Sequence, residues 1–160
     1  MDEERKQRAI RLFEEAYKLQ MKGELDEAAG LYKKSIEFFP TAEAYTFLGW
    51  TYSFQGRFDD AIEECLAAIS VDSTFGNPYN DIGSYLIAKG DFWGCVKWFK
   101  LAMKSERYEA RAFPYFNLAR VYEQRGKWIE AAKNYELALI EQPNYSSAVI
   151  ALRRLQTRLN

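Results

Sequence analysis

The sequence contains no histidine. That absence removes the commonest general base, the commonest zinc ligand and every Ser-His or Cys-His nucleophile pair. Cysteine occurs only at Cys65 and Cys95, too seldom for a disulfide framework. No apolar run approaches the length of a membrane span, and the opening MDEERKQRAI lacks a basic stretch followed by an apolar one. Neither sign of charge dominates: 22 basic residues face 23 acidic ones, a net charge of −1, so no bulk attraction to nucleic acid or to an anionic membrane is expected. No glycine is followed by the Lys-Ser or Lys-Thr of a phosphate loop. These absences point to a cytoplasmic protein without metal, cofactor, nucleic-acid or membrane partner.

What is present is a chain of 160 residues, 48% hydrophobic and 28% charged, globular in composition and long enough to bury a core. Gly23, Gly56, Gly90 and Gly126 recur at intervals of 33, 34 and 36 residues. Five positions after each stands a small residue, Ala28, Ala61, Cys95 or Ala131; four further on stand Tyr32, Cys65, Phe99 and Tyr135. Three beyond those come Ser35, Ala68, Ala102 and Ala138, while Leu25, Phe58, Phe92 and Trp128 follow the glycines by two. Both sides of each glycine carry helical spacing, which predicts a helix, a tight turn and a second helix. The prolines fit: Pro78 and Pro114 fall in first turns, and Pro40 and Pro143 stop second helices. Since no such unit can bury its apolar face alone, stacking is obligatory.

The pattern Tyr-x2-Leu-Gly-x2-Tyr-x3-Gly-x4-Ala-x3-Cys-x2-Ala from Tyr45 to Ala68 resembles the tetratricopeptide repeat. The resemblance implies an all-α, right-handed superhelical solenoid of four units, about 9–41, 42–75, 76–111 and 112–145, as a single domain over 1–160. It extends to small stand-alone bacterial proteins of that family. Leu12 and Glu15 depart from the pattern in unit one, and unit three carries two extra residues near SERYEARA. Residues 146–159 form an amphipathic helix with Val149, Leu152, Leu155 and Leu159 on one side, expected to cap the last unit; a basic docking helix is the alternative.

Within AEAYTFLGWTYSFQG, residues 42–56, a 100° turn per residue gathers Tyr45, Leu48, Gly49 and Tyr52 on one side and Phe47, Trp50 and Phe54 nearly opposite. The resemblance implies that first helices line a concave groove holding a partner peptide or helix. That frame places Phe13, Tyr17, Gln20 and Met21 on the groove, then Phe47, Trp50 and Phe54, then Asn77, Asn80 and Asp81, then Phe113, Phe116, Asn117 and Arg120. The aromatic residues would anchor a partner segment of unknown identity, and Asn77, Asn80, Asp81, Asn117 and Arg120 would orient it. Two other readings remain open: the rings cover one another, or another copy of the chain covers them in a homo-oligomer. Trp93 and Trp98, away from the groove, are expected in the core or between hairpins, with an outer contact as the alternative.

Relatives that grip the terminal carboxylate of heat-shock chaperone tails use lysine, asparagine and arginine at set groove positions. Here those places hold Phe13, Tyr17, Phe47, Asn77 and Asp81, or one unit later Thr46, Trp50, Asp81, Phe113 and Asn117, so no such chaperone tail is expected as partner. Catalysis is not expected either. Adjacent carboxylates such as Glu14-Glu15, Asp59-Asp60 and Glu63-Glu64 diverge by about 100° on a helix, and Cys65 and Cys95 occupy small-residue positions where a thiol acts as a small hydrophobe.

Overall fold

A computed structural model describes residues 1–160. Its helices are α1 (Asp2–Met21), α2 (Leu25–Phe38), α3 (Ala42–Phe54), α4 (Phe58–Val71), α5 (Asn77–Ala88), α6 (Cys95–Lys104), α7 (Ala112–Gln124), α8 (Trp128–Glu141) and α9 (Ser146–Leu159). Each packs mainly against its neighbours in chain order, an all-α helical repeat solenoid. No helix is long and apolar enough to cross a membrane.

The recurrent glycines close the hairpins. Gly23, Gly56, Gly90 and Gly126 all have φ between 73° and 88°, the left-handed region that side chains with a Cβ avoid. At each, two backbone bonds satisfy carbonyls at the helix end: Gly56 N–H donates to Ser53 at 3.0 Å and Arg57 N–H to Tyr52 at 2.9 Å, with the same pair at the other turns. A Cβ at Gly90 would meet nothing within 4 Å, so Gly90→Ala carries only the backbone cost. It should lower stability by about 1 kcal/mol, measurable as a small drop in thermal midpoint.

Inside the hairpins, small residues bring helices together and large ones fill the space behind them. Tyr32, Cys65, Phe99 and Tyr135 are fully buried, as are Ala28, Ala61, Cys95 and Ala131. The buried tyrosines carry a polar end that burial would strand. Tyr32 Oη donates to Gln20 Oε1 at 2.7 Å, and Tyr135 Oη donates to Glu123 Oε2 at 2.8 Å. Both acceptors lie twelve positions upstream; where the recurrent residue is Cys65 or Phe99, the matching positions hold Ser53 and Ile87. Gln20 is therefore a buried link within the first hairpin, not the groove residue expected from sequence.

The extra residues of unit three fold back over the junction with unit two. Arg107 N–H donates to Thr74 O at 3.0 Å, and its carbonyl accepts from Gly76 N–H at 3.1 Å, a single parallel bridge. The Arg107 guanidinium lies over the Phe75 ring and pairs with Asp72 at 2.9 Å and Glu43 at 2.6 Å. Tyr108 is buried against Gly76, where an added Cβ would lie 2.4 Å from Tyr108 Cβ. Arg111 donates to the carbonyls of Met103 and Ser105 at the end of α6.

The contact face of α9 is rotated from the expected leucine stripe. Ala148, Ala151 and Leu155 are buried, whereas Leu159 is exposed. Alanines allow closer approach to α8 than a full row of leucines would, so they take the seam.

Candidate functional site

The first helices of successive hairpins, α1, α3, α5 and α7, contribute the inner wall. On α3, Thr41 caps the N-terminus by accepting from Ala44 N–H at 3.1 Å. The hydroxyls of Thr46 and Thr51 donate back to the carbonyls of Ala42 and Phe47 at 2.7 and 2.9 Å, which settles their polarity within a buried helix.

From that helix an aromatic ladder runs along the wall. Phe47 meets Phe13 at 5.2 Å, Tyr17 at 5.8 Å and Trp50 at 5.7 Å between ring centroids, all edge to face, and Trp50 meets Phe54 at 5.1 Å. Phe13 and Phe47 also touch buried Tyr32. The ladder is thus partly self-covering: Phe13, Phe47 and Trp50 are half-buried, while Tyr17 and Phe54 remain exposed.

Tyr17, Phe47, Trp50, Asn77, Asn80, Asp81 and Phe113 converge on one concave cavity of about 350 Å³. Thr46, Tyr108 and Ala110 complete its lining. Other expected residues lie outside it. Phe13 faces a neighbouring cleft near the N-terminus with Lys6, Glu14 and Glu43. Phe54 stands on the rim beside Trp50. Phe116 and Arg120 open onto a separate cavity of about 450 Å³ between α7, α8 and α9, closed on the other side by Ile87 of α5 and by Phe92. The Tyr145 ring packs on Phe116 at 4.9 Å and on Phe113 at 5.7 Å. Asn117 donates to Asn80 Oδ1 at 3.2 Å and so ties α7 to α5.

Sequence reasoning missed Tyr108, Ala110 and Tyr145. The first two sit on the inserted connection, which has no counterpart in the other units; the surplus residues near SERYEARA marked the place. Trp93 also departs from expectation. It lies in the turn before α6, is 71% exposed and carries the Arg125 guanidinium over its ring, because no neighbouring hairpin covers that turn. Trp98 is half-buried, stacked on Tyr79 at 6.3 Å and packed against the core.

Electrostatically the cavity has one unusual member. Asp81 has no cation or hydrogen-bond donor of the chain to meet it, and burial pushes its carboxyl up to about 7. No lysine or arginine lines the cavity. The Cys65 thiol behind it is fully buried, and burial pushes its pKa well up, so it stays protonated packing.

A stacked set of helical hairpins with turn glycines in the left-handed conformation and a concave inner wall defines a helical-repeat protein. Residues 42–75 and 112–145 each match the tetratricopeptide repeat family; the chain is a tetratricopeptide-repeat protein. No curated protein matches it. Among solved structures it is similar to PilF of Pseudomonas aeruginosa, TM-score 0.89 and 21% identity over 96% of this chain and 70% of that one. It is similar to YrrB, described as a TPR protein with an unusual peptide-binding site, TM-score 0.72 and 15% identity over 91% and 74%. A third is the first TPR of Spaghetti (RPAP3) bound to the HSP90 peptide SRMEEVD, TM-score 0.68 and 23% identity over 74% and 95%.

Proposed function

We propose that this protein is a non-enzymatic interaction module that takes a short segment of a partner protein into its concave groove. The observation that carries this reading is the convergence of Tyr17, Trp50, Asn77 and Phe113, from four successive hairpins, on one open cavity. Such a mix of apolar surface with a few placed polar groups is what peptide recognition needs. Asn77 makes no side-chain hydrogen bond within the chain and is free to meet a backbone amide, whereas Asn80 and Asn117 serve each other. Two tetratricopeptide-repeat proteins of similar fold are described as peptide-binding or peptide-bound, which adds support. An acidic chaperone tail is disfavoured, because the cavity offers a carboxylate and no cation.

Phage-displayed random nonapeptides selected on the native chain, then measured on Trp50→Ala, test this reading. Ring removal at the centre of a groove should weaken selected peptides by at least about tenfold. Peptides that bind both proteins alike would place recognition elsewhere. A native mass that rises with concentration and falls back in a Trp50→Ala, Phe54→Ala variant would instead assign the groove to a second copy of the chain.

A further inference from the structure

We infer that the segment taken by the groove lays a lysine or arginine side chain along the rings and over the Asp81 carboxylate. This rests on the groove being the interaction site, and it names the chemistry of the occupant. A half-buried carboxylate beside aromatic rings gains by pairing with a cation, and Asp81 has no hydrogen-bond or ionic partner within the chain. The arginines that flank Tyr108 and Ala110 on the connection lining the cavity are engaged elsewhere: Arg107 with Asp72 and Glu43, Arg111 with the carbonyls closing α6. Meanwhile Trp50, Tyr17 and Phe113 offer ring faces that suit both an alkyl stem and a cationic head. A partner cation would therefore meet its complement at the floor and apolar cover along the way, while an acidic side chain would meet repulsion.

The groups around Asp81 leave its charge to govern. From α4 it faces Cys65, on its own helix Tyr85, and from the connection before α7 Tyr108, all three held protonated by burial. Tyr17 on α1 stands across the cavity; α3 presents Thr46, Phe47 and Trp50, and α7 presents Phe113, so neither adds a charge. Capture of the cation should thus strengthen as pH rises through about 7.

The test uses the nonapeptides selected at pH 8, each resynthesised with its lysines and arginines replaced by norleucine. Their dissociation constants are measured on the native chain, Asp81→Asn and Trp50→Ala at pH 5.5 and 8. The expected result is enrichment of basic peptides that lose about tenfold or more on norleucine replacement, on Asp81→Asn and at pH 5.5, with the pH dependence gone in Asp81→Asn. Peptides that need Trp50 but bind Asp81→Asn equally, or an enrichment of neutral or acidic sequences, would overturn the cation while leaving the groove intact. Failure to select any peptide, or binding indifferent to both substitutions, would overturn the groove reading and the cation with it. Circular dichroism of each variant separates lost binding from lost fold.

Discussion

Asp81→Asn makes the free protein more resistant to heat, by little at pH 4 and by its full amount above pH 7. The carboxyl ionises near 3.8 in an unfolded chain and near 7 in the folded one, where burial opposes the charge. Between those values the unfolded chain gives up a proton that the folded chain keeps. Ionisation therefore favours unfolding across that window, and the penalty is complete once pH exceeds about 7. A shift of that span converts to at most about 4 kcal/mol; partial access of water to the side chain brings the expected gain to roughly 2 kcal/mol. For a chain of this length that is an increase of about 4–8 °C in Tm. Calorimetric scans of both proteins at pH 4 and pH 8 measure it. An equal gain at both values would mean that the carboxyl titrates alike in the folded and unfolded chain, and a loss at pH 8 that the carboxylate finds stabilising partners in the folded chain. Together with the binding test, the expectation is a substitution that stabilises the fold and weakens capture, as when an active groove holds a group the fold alone would discard.

Much of this was legible because a repeat writes the same physics several times. A glycine returning at nearly constant spacing announces a turn, and only the left-handed φ at Gly23, Gly56, Gly90 and Gly126 explains why glycine is needed there. Small residues at fixed offsets announce close helix contacts, and Ala28, Ala61, Cys95 and Ala131 are all buried. Periodicity fixes the face of a helix to about one residue, which suffices to separate Tyr52 from Trp50. It does not suffice at the edges of a stripe: Gln20 turned inward to meet Tyr32, and α9 settled on its alanines. Side-chain partnerships across helices, such as Asn117 with Asn80, depend on rotations that one sequence does not encode visibly. The inserted connection was the least legible part, since no other unit supplies its template; its Arg107 reaches Glu43, 64 positions away. The unpaired state of Asp81 likewise depends on where Arg107 and Arg111 turn, toward Asp72, Glu43 and the carbonyls closing α6, which no spacing in the sequence encodes.

Gly83 and Phe99 should show a strong energetic coupling, since one occupies the space the other leaves. Gly83 lies on α5, and a Cβ there would sit 2.5 to 2.8 Å from three atoms of the Phe99 ring on α6. Phe99 is fully buried, so the ring has no open space to retreat into. Gly83→Ala gains about 1 kcal/mol of helix propensity and loses more to overpacking, which costs about 1–3 kcal/mol at such sites. Phe99→Ala removes the ring and leaves a cavity, at a cost of about 3–5 kcal/mol. In the double variant the new methyl at position 83 enters the vacated space without a clash and recovers its helix propensity. The double variant should therefore be less destabilised than the sum of the single ones, by at least about 1 kcal/mol, and Gly83→Ala made in the Phe99→Ala background should be stabilising. Urea unfolding of the four proteins measures the coupling. Strict additivity would mean that α5 and α6 separate when Gly83 is replaced, and that the glycine is not what lets this hairpin close. Since α5 also carries Asn77, Asn80 and Asp81, which line the cavity, the closeness of that hairpin also sets how far those residues stand from Trp50 and Phe113. Any peptide that engages Asp81 should accordingly bind more weakly to Gly83→Ala than to the double variant.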